Sequence, residues 1–101
     1  MADKEQSSSS AASPIPFPTL TILYLPAEAM AVVEDVSQKY SNSTVEDCVG
    51  FFHGAHRTYK KVTIWSQGID SLWLNAVVAR VKELAKVEFV TVVSGGMMYV
   101  L

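Results

Sequence analysis

The chain has 101 residues, 50% of them hydrophobic and 18% charged, and a formal net charge of -2 at pH 7. That is enough apolar material for one domain with its own core, while the slightly acidic balance excludes the global basic field that drives non-specific nucleic-acid binding, so any anion site must be local. The single cysteine, Cys48, cannot form an intramolecular disulfide, and no stretch reaches the ~20 apolar residues of a membrane span, which favours a cytoplasmic or nuclear protein.

Residues 1–16 open with MADKEQSSSSAA, a polar, serine-rich stretch without the basic start and apolar run of a secretory signal. Such a composition buries too little surface to offset the entropy of ordering it, so a disordered tail is expected over 1–16 and a single α+β domain over 17–101. Pro14, Pro16 and Pro18 lead extended into the first strand, Thr19 to Leu25. In that strand Leu20, Ile22 and Tyr24 alternate with Thr21, Leu23 and Leu25, so both faces carry large apolar groups and a central position is expected.

Pro26 ends the strand, and Ala27 to Tyr40 reads as an amphipathic helix with Ala29, Val32, Val33, Val36 and Tyr40 on its core side. The next segment, Ser41 to Tyr59, supports two readings. Ser43-x-x-Glu46 has capping-box form and Val45, Cys48, Val49, Phe52, Ala55 and Tyr59 recur at helical spacing, but Gly50 and Gly54 each cost a helix about 1 kcal/mol, and Cys48 to His53 also reads as a strand with a glycine bulge.

Val62 to Trp65 alternates as a strand, Ser66-Gln67-Gly68 breaks it, and a helix runs on to Lys86. On a wheel at about 100° per residue, Trp73, Leu74, Val77, Val78, Val81, Leu84 and Ala85 form one wide apolar arc. Asp70 stands at the N-cap, while Lys82 and Lys86 stand near the negative end of the helix dipole. Leu72 falls outside the arc and is expected to meet a second surface. Val87 to Val93 and Met97 to Leu101 then form two strands, joined at Ser94-Gly95-Gly96 by a hairpin turn that needs positive φ.

The chemistry-bearing residues are few. His53, His56 and Cys48 resemble a metal site but lack a third ligand at an established spacing, so no metal and no cofactor are expected. Cys48 with His53 or His56 as base is a conceivable nucleophile pair, yet no motif supplies an orienting group or oxyanion hole; no catalytic residue is assigned. Gly68 before a helix has the form of an anion-binding turn, and equally of a tight strand-to-helix connection. His56, Arg57, Tyr59, Lys60 and Lys61 are the densest cationic stretch, suited to phosphate contact with a ring stacked on a base, or simply to a solvated strand entrance.

Taken together, Val62-Thr63-Ile64-Trp65-Ser66, Gly68-Ile69 and the helix through Val77, Val78, Val81 and Leu84 resemble the Alba family of small DNA- and RNA-binding proteins. That resemblance implies a βαβαββ order, with two main helices on one face of a four- or five-stranded sheet. It also implies a non-enzymatic nucleic-acid-binding module working as a dimer. Arg57, Lys60 and Lys61 would then contact phosphate, with His56 and Tyr59 beside them, Gly68 would allow close approach, and Leu72 and Trp73 would meet the partner. The alternative is a ferredoxin-like sandwich with an extra strand at 48–53, serving as a protein-interaction or dimerisation subunit without nucleic acid.

Overall fold

The computed structural model describes residues 14–52 and 55–101. Most of the expected tail, residues 1–13, lies outside the described residues, as do His53 and Gly54. Five strands and two helices follow in order: β1 Thr19–Pro26, a 3-10 turn Ala27–Ala29, α1 Met30–Lys39, β2 Ser43–Phe52, β3 Ala55–Ser66, α2 Ser71–Ala85, β4 Thr91–Ser94 and β5 Met97–Val100. The strands form one sheet in the order β2-β3-β1-β4-β5, with every neighbouring pair antiparallel.

The doubtful segment is a strand. Gly50, which would weaken a helix, sits within β2, and all of Ser43 to Phe52 is in register with Ile64 to Ala55 of β3. This additional strand separates the chain from the βαβαββ order that the Alba resemblance implies. It also turns β3 antiparallel to β1, so the first six main elements run βαββαβ, the split β-α-β connectivity, with β5 added as a hairpin partner of β4.

β1 is central, as its doubly apolar pattern requires. Its Thr21, Leu23 and Leu25 are fully buried and face Ile64, Val62 and Lys60 of β3. On this side the core gathers Leu23, Leu25, Val62, Ile64 and Val92 from the sheet, Val32, Val33 and Val36 from α1, and Val77, Val78 and Val81 from α2. Both helices therefore cover the same sheet face, giving a two-layer α+β sandwich. Buried Thr21 keeps its hydroxyl partnered, 3.5 Å from Ser94 Oγ on β4.

α2 starts as its sequence specifies. Asp70 Oδ1 accepts from the N–H groups of Leu72 at 2.9 Å and Trp73 at 3.2 Å. The helix stops where Lys86 adopts the left-handed conformation, φ 57°. The strand expected from Val87 begins only at Thr91, because the chain uses 87–90 to cross back from helix to sheet. Val90, buried in the core, then exchanges two backbone hydrogen bonds with Leu101. Gly95 and Gly96 turn between β4 and β5 with φ of 60° and 78°, the doubly positive pair that a two-residue hairpin demands.

Candidate binding surface on the open sheet face

Among the described residues no helix covers the second face of the sheet. Period-two alternation and the strand register together place Leu20, Ile22 and Tyr24 of β1, Tyr59, Lys61, Thr63 and Trp65 of β3, Thr91 and Val93 of β4, and Met98 and Val100 of β5 on it. Thr44, Glu46, Cys48 and Gly50 of β2 complete it. Its central side chains are half-buried by their neighbours, but Trp65 remains 48% exposed and Met98 66%. An antiparallel sheet with one solvated face ordinarily turns polar groups outward; this one turns out aromatic and aliphatic groups among its threonines and charges.

The face divides by chemistry. Toward β4 and β5 it is aliphatic. Toward β3 it presents Tyr24, Tyr59 and Trp65, with Lys61 directly across from Tyr24 on one side and Glu46 on the other. Lys61 forms no ion pair with the described residues.

The strand pleat splits the cationic stretch that is contiguous in sequence. Arg57, Tyr59 and Lys61 share the alternation of the open face, whereas His56 and Lys60 share that of Val62 and Ile64. Lys60 pairs with Asp47, its cross-strand partner on β2. His56 is exposed, its ring 5.9 Å from that of Phe51 across the same pair of strands.

Arg57 lies beyond the last β1 partner, Pro26 with Tyr59, where the β3 edge runs free. Its Nη2 donates to Glu28 Oε1 and to the carbonyl oxygen of Ala85, each at 3.4 Å. The guanidinium thus sits at the negative end of α2, linking that helix to the 3-10 turn. The Glu28 carboxyl is held below its ordinary value of 4.5, first by its own backbone N–H, then by the Arg57 hydrogen bond and last by the Arg57 charge, against an opposing effect of burial that ranks between those two.

Gly68 is not brought to this cluster. It follows the far end of β3, roughly 30 Å along the strand from His56 at ~3.3 Å per residue. Four of the N–H groups around it are occupied: Gly68 donates to Ser66 Oγ at 3.2 Å, Asp70 to the Tyr40 hydroxyl at 3.3 Å, and Leu72 and Trp73 to Asp70. The Asp70 carboxylate fills the place that an external anion would take. Beside the turn, an open cleft of about 300 Å³ is lined by Phe17, Tyr40, Asn42, Trp65 and Gly68 among others.

The two residues expected at a partner interface separate as well. Leu72 is 80% exposed, whereas Trp73 is half-buried and packs edge-on against Tyr40, with ring centroids 4.9 Å apart.

No protein-family model, curated protein or solved structure matches this chain.

Among the described residues no three His, Cys, Asp or Glu side chains gather as a metal site. Cys48 and His56 lie on opposite faces by register, Cys48 across from Tyr59 and His56 across from Phe51, so the pleat separates that pair. His53, the other base considered for Cys48, lies outside the described residues. Tyr24 and Trp65, absent from the sequence-derived site, are the residues that register adds to it. Their only signal in the sequence is an aromatic ring on the outward side of a strand that is already apolar on its inward side.

Proposed function

We propose that this domain is a non-enzymatic module that binds single-stranded nucleic acid, most simply RNA, on the open sheet face along β1 and β3. The observation that carries it is that Tyr24, Tyr59 and Trp65 share the open face of an antiparallel sheet with Lys61, which forms no ion pair among the described residues. Unstacked bases find rings there to lie against, and a cation among the rings meets the backbone between bases. The Alba resemblance of Val62–Ser66 and α2 supports the same class of ligand, by a different strand order. With Lys60 and Arg57 engaged by Asp47 and Glu28, phosphate contacts are few, and stacking supplies most of the affinity.

A fluorescence titration of a short labelled oligoribonucleotide at several salt concentrations tests this. With one or two phosphates contacted, log K should fall against log salt with a shallow slope of about -0.7 to -1.4, shrinking by about 0.7 in Lys61→Ala. Tyr24→Ala should weaken binding by ~1–3 kcal/mol with the slope unchanged. No binding at low salt removes this reading.

The aliphatic half of the same face favours a second reading, a protein-interaction subunit whose partner covers Val93 and Met98. In that case the domain captures a polypeptide, and RNA titrations stay flat.

A further inference from the structure

All four residues of β5 are apolar and substantially exposed: Met97 60%, Met98 66%, Tyr99 44% and Val100 51%. Among the described residues β5 is the last strand of the sheet and pairs only with β4, so its outer edge presents main-chain donors and acceptors with no described strand beside them. Register sets Met98 and Val100 on the open face, across from Val93 and Thr91, and Met97 and Tyr99 on the helix face. A partner lying on either face would cover one pair and leave the other in water. Only a neighbour in the plane of the sheet covers both.

We propose that β5 is the pairing edge of a homodimer, in which two copies join antiparallel, β5 to β5, about a two-fold axis. Charge selects a second copy as the occupant. A two-fold axis sets each strand against its own sequence, so an edge pairs with itself only where like charges do not meet. β5 and its Gly95-Gly96 turn carry no charge, and neither proline nor lysine guards the edge. The opposite edge, β2, carries Glu46 and Asp47 in succession, one toward each face, and a second copy paired about an axis near them would bring carboxylates together. The exposed parts of the four β5 residues offer on the order of 400 Å² per copy, about half of the ~800 Å² that a standard interface takes from each partner. The dimer is therefore reversible and dissociates on dilution. It joins the two open faces edge to edge and leaves Tyr24, Tyr59 and Lys61 uncovered, so it stands or falls separately from RNA binding.

Sedimentation velocity of the full chain, over a dilution series reaching the millimolar range, tests the proposal together with amide exchange at both ends of that series. The expected result is a concentration-dependent dimer in which β5 amides gain protection. Met98→Lys and Tyr99→Lys, one for each face and both at exposed positions, should weaken dimerisation about tenfold or more by placing an unpaired charge in the joint. Val49→Lys, exposed on the β2 edge, should leave it unchanged. A chain that stays monomeric throughout overturns the proposal. So does a dimer that survives both lysine variants, one that is lost with Val49→Lys, or one whose β5 amides exchange as fast as in the monomer.

Discussion

The ring of Tyr59 occupies the space that a side chain at position 50 would need: a Cβ built on Gly50 would lie 2.8 Å from Tyr59 Cε2 and 3.1 Å from Cδ2. The two residues are diagonal neighbours on the open face, so the glycine that argues against a helix in Ser41 to Tyr59 is also what lets Tyr59 lie down along the sheet. Gly50→Ala should lift or turn the ring at a cost of about 1–2 kcal/mol, read as a lower urea midpoint with an unchanged slope. RNA affinity should fall with it, because the displaced ring no longer lies along the open face.

Leu72 and Trp73 are adjacent in sequence and opposite in consequence. Trp73 packs on Tyr40 and against the core, so Trp73→Ala should cost ~2–4 kcal/mol. Leu72→Ala, at a side chain already in water, should stay within about 0.5 kcal/mol of the wild type. A double-mutant cycle of Tyr40 and Trp73 should return a coupling of about 0.5–1.5 kcal/mol, the range for edge-on aromatic pairs. Chemical denaturation measures all three.

Asp70 holds the first turn of α2 through two main-chain N–H groups. Asp70→Ala should destabilise the domain by about 1 kcal/mol, and Asp70→Asn by less, since an amide oxygen still accepts. Thermal unfolding of the two variants checks the order.

Glu28 couples the 3-10 turn to β3 and to the end of α2 through Arg57. Its folded-state pKa lies below the unfolded value, so its contribution to stability is present above pH 4.5 and is lost as the pH falls through the lowered folded value. An NMR titration should find the Glu28 carboxyl titrating below 4.5 in the wild type. In Arg57→Ala it should move back part of the way, because the backbone N–H that contributes most is still present.

The pieces of the fold legible in the sequence were those set by local chemistry. The double apolar alternation of Thr19 to Leu25 announced a central strand, Asp70 announced the start of α2, and tandem Gly95-Gly96 announced a hairpin. Ser41 to Tyr59 was not decided locally, because helical spacing and strand propensity coexist there and pairing with β3 across the hairpin settles it. The candidate surface is harder to read for the same reason. Proximity in sequence grouped His56, Arg57, Lys60 and Lys61, but a strand alternates its side chains, and carboxylates brought from elsewhere, Glu28 and Asp47, engage two of the four. Tyr24 joins Lys61 only through strand register, which no stretch of the chain specifies alone.

The most direct test of the open face as the working surface is amide and side-chain chemical-shift mapping of the labelled full chain, titrated with a short single-stranded oligoribonucleotide. Perturbations should concentrate at Tyr24, Tyr59, Lys61, Thr63 and Trp65, with Leu72, Arg80 and the outward side of α2 unmoved. Shifts confined to the Gly68 turn and α2, or none anywhere at saturating oligonucleotide, would contradict nucleic-acid binding on this sheet face.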